Sequence, residues 1–95
     1  MLVKVQYLGV LRAKLGIKER TYEIGGDASL SDLLRKLAEL HGEFLKKMFD
    51  SDEKNILDPS FVITINGILA DRLHGLKTRL KDGDIVTIMS LISGG

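Results

Sequence analysis

Ninety-five residues, 44% of them hydrophobic and 28% charged, suit one domain over residues 1–95 with a core large enough to fold unaided. A formal net charge of +1 makes no electrostatic case for nucleic acid or a membrane surface, and the absence of cysteine removes disulfides, iron–sulfur ligation, thiolate nucleophiles and Cys-based zinc sites. No apolar run approaches the roughly 18 residues of a membrane span and no signal-peptide profile opens the chain, so a cytoplasmic protein is expected.

The first stretch, Leu2 to Leu8, alternates: Val3, Val5 and Tyr7 share one face, Lys4 and Gln6 the other, the period of a half-buried strand. Val10 to Leu15 holds good helix formers and predicts a helical turn. Ile17 to Ile24 reads as a second strand, with Tyr22 and Ile24 inward and Glu19, Thr21 and Glu23 outward, ended by Gly25-Gly26-Asp27. Ser29 to Gly42 predicts the main helix. Ser29 with Asp32 three residues on matches a capping box. Leu30, Leu33, Leu34, Leu37, Ala38 and His41 fall on one stripe, and Gly42 stands where a left-handed cap belongs.

Phe44, Leu45, Met48 and Phe49 suggest a second short helix, and Ser51 to Pro59 a mobile loop. Phe61 to Ile65 is a third strand with Phe61, Ile63 and Ile65 buried. Asn66-Gly67 predicts a type I′ hairpin turn, because both central residues of that turn need positive φ. Ile68 to Ala70 pairs back briefly, and Asp71 to Arg79 is irregular, anchored by Leu76 and Leu80. Lys81-Asp82-Gly83-Asp84 turns into a last strand, Ile85 to Leu91, with Val86 and Ile88 inward and Thr87, Met89 and Leu91 on the other face. One amphipathic helix covers one face of such a sheet, which predicts an α+β fold with a half-open sheet, and the last strand, among the most hydrophobic, is expected to be central. The strand order does not follow from these patterns.

The sequence runs out in Ser93-Gly94-Gly95. Glycine makes a tail thin enough to thread another protein's channel, and the terminal α-carboxylate, with a reference pKa of roughly 3.5, is ionised at neutral pH. Gly95 is therefore the candidate reactive residue, with Gly94 and Ser93 as its slim neighbours. No phosphate loop, catalytic triad or paired carboxylates are present, and His41 and His74, without carboxylates or thiols at ligand spacing, read as structural.

Read together, these pieces resemble the β-grasp sulfur-carrier family, above all the small subunit of molybdopterin synthase. The resemblance is carried by Leu11-Arg12 and Gly16 after the first strand, Ser29 to Leu34 at the helix start, Ile65-Asn66-Gly67, Leu80 to Asp84, and Ser93-Gly94-Gly95. Where the family commonly reads Phe-Pro-Pro-Val before the last three residues, this chain reads Met89-Ser90-Leu91-Ile92; relatives in thiamine synthesis also lack the two prolines.

The resemblance implies a ubiquitin-like β-grasp fold, a mixed sheet with one main helix across it. It also implies a carrier without catalysis or bound cofactor of its own. An E1-like adenylating enzyme would use ATP to activate Gly95, a sulfur donor protein would convert it to a thiocarboxylate, and the large subunit of molybdopterin synthase would pass the sulfur to a pterin precursor. Met89, Leu91, Ile92 and Leu69 would form the partner-docking patch. The alternatives are a sulfur carrier for thiamine synthesis or tRNA thiolation, a ubiquitin-like modifier joined through Gly95 to lysines, and a plain β-grasp interaction module with an incidental tail.

Overall fold

In the computed structural model, which describes residues 1–42, 45 and 60–90, the elements in chain order are β1 (Leu2–Gly9), α1 (Val10–Leu15), β2 (Glu19–Glu23), α2 (Leu30–His41), β3 (Phe61–Ile65), β4 (Ile68–Leu69) and β5 (Ile85–Ser90). The sheet has the order β2-β1-β5-β3-β4. β1 and β5 run parallel, with Lys4 opposite Ile85 and Gly9 opposite Ser90; every other pairing is antiparallel. β5 is therefore the central strand, as its hydrophobicity predicts.

Alternation decides which side of each strand is buried. Val3, Val5 and Tyr7 of β1, Val86 and Ile88 of β5, and Phe61, Ile63 and Ile65 of β3 all point to one face. α2 packs across that face with Leu30, Leu33, Leu34 and Leu37, none of which retains exposed surface. The helix starts where the capping box predicts: the Asp32 N–H donates to Ser29 Oγ (3.2 Å), and the Ser29 N–H to Asp32 Oδ2 (2.9 Å). Such a cap satisfies two otherwise orphaned donors and stabilises a helix by about 1 kcal/mol.

Three sequence expectations need correction. Gly42 ends α2 with φ 100° and ψ 177° rather than in the left-handed helical region. The Gly42 carbonyl accepts the Leu45 N–H (3.3 Å), and Leu45 is buried in the core. β2 is also shorter than expected, Glu19–Glu23; Ile17 and Ile24 lie outside the strand ladder but still pack against the core. Asn66 and Gly67 take positive φ, 53° and 84°, as the hairpin turn requires. Ala70, expected in the returning strand, instead opens a 3₁₀ turn, Ala70–Arg72; a second, Gly75–Lys77, follows, and buried Leu76 and Leu80 anchor the stretch. Of the second short helix only Leu45 is described, and the Ser51 to Pro59 loop lies outside the described residues.

The acidic turn before β5 does more than reverse the chain. Asp82 Oδ1 accepts the Leu2 N–H (2.7 Å), Asp84 Oδ2 accepts the Lys81 N–H (2.8 Å), and Asp84 Oδ1 accepts from Asn66 Nδ2 (2.9 Å). Asn66 in turn accepts the Ile85 N–H (2.9 Å). These side chains lock the starts of β1 and β5 and the β3–β4 turn together, so the parallel register of the two central strands is set at the end of the sheet opposite Ser90. On the helix side, the core holds a polar chain: Tyr7 Oη lies 2.7 Å from Tyr22 Oη, which lies 2.8 Å from His41 Nε2.

Candidate functional site

The sheet face away from α2 bears no helix among the described residues. Outward positions on neighbouring strands fall into rows. Leu8, Met89 and Val62 form the row next to the end of β5, since Met89 pairs with Leu8 on one side and Val62 on the other. Gln6, Thr87, Thr64 and Leu69 form the next row. Leu8 and Leu69 keep 39% and 45% of their surface exposed, enough to offer apolar area to a partner, while Met89 and Val62 are half-buried. In the second row the Thr87 hydroxyl donates to Gln6 Oε1 (3.1 Å), a neutral pair.

The only charge at the outward positions of the four strands from β1 to β4 across β5 is Lys4, and Glu19 on β2 pairs with it at 3.3 Å. The face is thus apolar at the end of β5 and nearly neutral beyond. A charge-poor apolar patch is the composition of a docking surface rather than of a site that binds anions or nucleic acid.

Gly9 shapes this end of the sheet. It sits opposite Ser90, with φ 66°, and a Cβ there would come within 3.3 Å of the Ser90 carbonyl oxygen and 3.5 Å of Met89 Cγ. A side chain at residue 9 would crowd both Met89 and the backbone at Ser90. Glycine also permits the positive φ that turns β1 into α1 without a loop.

Of the residues singled out in the sequence, Met89 and Leu69 lie on this open face, separated by Val62 and Thr64. Gly95, Gly94, Ser93, Ile92 and Leu91 lie outside the described residues. Leu8, Val62 and Gly9 escaped the sequence reading. Leu8 and Val62 are outward positions of alternating strands, a visible signal, but their place beside Met89 depends on strand order. Among the described residues no group of three histidine, aspartate or glutamate side chains converges as a metal site would, and no helix is long and apolar enough to cross a membrane. Among the described residues, the titratable groups with altered proton affinity, Tyr7 and His41, are on the helix side.

Comparison with known proteins places this geometry. The model of the ThiS family matches residues 5–95. Small archaeal modifier protein 3 of Haloferax volcanii is 25% identical over 95 residues, covering all of both chains. Among solved structures, small archaeal modifier protein 1 of Methanosarcina acetivorans is 35% identical, with a TM-score of 0.76 over 99% of this chain and 96% of that one. A putative molybdopterin converting factor subunit 1 from Pyrococcus furiosus is 25% identical, with a TM-score of 0.73 over 97% and 99% of the two chains.

Proposed function

The chain belongs to the ThiS family of β-grasp sulfur carriers, and we propose that it acts as a ubiquitin-like carrier whose working group is the α-carboxylate of Gly95. The observation that carries this reading is positional. The family match runs through Gly95, and the last strand before the tail is the central one, β5, bordered at its end by the apolar row Leu8–Met89–Val62. A partner that takes in the tail can grip its base on that row. Leu91 and Ile92 extend the docking surface, and Gly94 and Ser93 give the tail its narrow section.

A carboxylate is a poor acyl donor until it is activated. An E1-like enzyme would direct a Gly95 carboxylate oxygen onto the α-phosphorus of ATP, with pyrophosphate leaving, to form the acyl-adenylate. The outer sulfur of a persulfide on a donor protein would then displace AMP to give an acyl disulfide, and a thiol would cleave its S–S bond, leaving a thiocarboxylate on Gly95 and a disulfide on the donor side. Alternatively a lysine amine would displace AMP, lose its proton and form an isopeptide bond. The carrier contributes reach, alignment and docking; the catalytic groups belong to its partners.

Similarity to two small archaeal modifier proteins favours conjugation to lysines as one fate of the activated carboxyl. Similarity to the Pyrococcus furiosus converting factor subunit favours the other: delivery of sulfur to a pterin precursor through a molybdopterin synthase large subunit, on the way to a molybdenum or tungsten cofactor.

Intact-protein mass spectrometry after incubation with an activating enzyme, ATP and a sulfur donor tests the common premise. The wild type gains the mass of a sulfur-for-oxygen exchange, localised to Gly95. Removing Gly95 shortens the reach by about 3.5 Å, outside the tolerance of a reacting pair, so that form gains nothing. A form extended by one residue also gains nothing. Thiolation of the shortened chain at the wild-type rate overturns the reading. Conjugates recovered from cells separate the fates: a ladder attached to lysines supports the modifier, and co-purification with a pterin-binding synthase subunit supports sulfur delivery.

A further inference from the structure

The Tyr7–Tyr22–His41 chain lies on the helix side of the sheet and takes no part in docking or activation. Tyr7 has no exposed surface, Tyr22 keeps 6%, and His41 is the last residue of α2. Both phenol rings meet the imidazole edge-on, with centroids 6.1 Å apart. The chain joins three elements: β1 through Tyr7, β2 through Tyr22 and α2 through His41.

Counting hydrogens decides its direction. Two hydroxyls carry two hydrogens, and each must find an acceptor where water is excluded. Only one arrangement uses both within the chain: Tyr7 donates to Tyr22 Oη, and Tyr22 donates to His41 Nε2. That requires a neutral imidazole with its proton on Nδ1. Protonation makes both ring nitrogens donors. His41 must then donate to Tyr22 Oη, and whichever way the two hydroxyls turn, one of their two hydrogens is left without an acceptor in the chain.

We propose that this chain is a proton-operated latch: neutral His41 ties the C-terminal end of α2 to the β1–β2 pair, and protonation of His41 releases it. The surroundings agree. Among the described residues, the ionisable groups acting on His41 are Tyr7 from β1 and Tyr22 and Arg20 from β2, and none is a carboxylate favouring the charged ring. Burial, and then the Arg20 charge, lower its proton affinity below the ordinary histidine value of 6.5. As pH falls below 6.5, the unfolded or locally opened chain therefore takes up the proton first. The latch is at full strength above that value and is lost as pH falls through the folded-state value. It does not depend on the carrier reading, and its test does not use the tail.

Nitrogen-15 NMR of the wild-type imidazole, with amide exchange over Leu37 to Gly42 corrected for intrinsic rates, reads the latch between about pH 7.5 and pH 5. The expected result is the Nδ1–H tautomer at neutral pH and a His41 titration below that of a histidine in an unstructured peptide. Protection of the last turn of α2 is lost in step with that titration. In His41→Phe, which keeps a ring against the two tyrosines, protection over the same range stays flat or loses only the part common to all acidic groups. The Nε2–H tautomer, a titration at or above the peptide's, or equal acid sensitivity in wild type and His41→Phe overturns the proposal. The tautomer and titration are read on the wild type, so the outcome holds even where the variant folds poorly.

Discussion

Met89 is half-buried between Leu8 and Val62, close enough to the end of β5 to be covered by any partner that grips the tail there. Its side chain faces away from the core, so a charge at this position meets solvent in the free protein and a desolvated contact in the complex. Met89→Asp should therefore change folding stability by less than about 1 kcal/mol, yet weaken association with the activating enzyme by 2 kcal/mol or more, roughly 30-fold in Kd. Calorimetric titration beside urea unfolding measures both. An unchanged Kd removes this row from the docking surface. A large stability loss instead assigns Met89 to the core.

At the scale of elements, α2 is held by its stripe and its cap together. Leu34 lies at the middle of the stripe with no exposed surface, facing the inward side chains of the central strands. Truncation there removes the burial energy of most of a leucine and leaves a void that close-packed neighbours fill only in part. Leu34→Ala should cost about 2–5 kcal/mol in denaturant titration. A loss below half a kcal/mol is incompatible with the packing described. The same variant should leave thiolation of Gly95 intact under conditions where the protein stays folded, because α2 and the open face lie on opposite sides of the sheet.

At the scale of the molecule, the closure of the fold rests on the parallel pairing of β1 with β5, which joins the two ends of the sequence: Lys4 pairs with Ile85 and Gly9 with Ser90. These two strands are bordered by others on both sides, whereas β2 has a free edge. Amide exchange should therefore be slowest in β1 and β5 and faster in β2, whose outer amides have no strand partner. Equal protection of β2 and β5 contradicts this hierarchy. Closing so long a loop is also entropically costly, and the Asp82–Leu2 and Asn66–Asp84 hydrogen bonds concentrate the compensating interactions at one end of the pair. The other end, Gly9 and Ser90, lies beside the row Leu8–Met89–Val62.

Local signals were readable because they depend on residues near one another in the sequence. The alternation in Val3-Val5-Tyr7 and Phe61-Ile63-Ile65, the Leu30 to Ala38 stripe, the Ser29–Asp32 box and Asn66-Gly67 each settled an element or a turn, and together with the terminal glycines they pointed to the family. What they could not settle was which strand lies beside which. Strand pairing is made by backbone groups that are the same at every residue, so a period of two names the face of a side chain but not its neighbour. Only the tertiary structure set Leu8 and Val62 against Met89, brought Leu69 onto the same face through its pairing with Thr64, and placed Gly9 against Ser90. His41 shows the same division: its place on the apolar stripe was legible in the sequence, but its hydrogen-bond partner comes from a strand 19 residues away, brought into reach by the packing of α2 on the sheet.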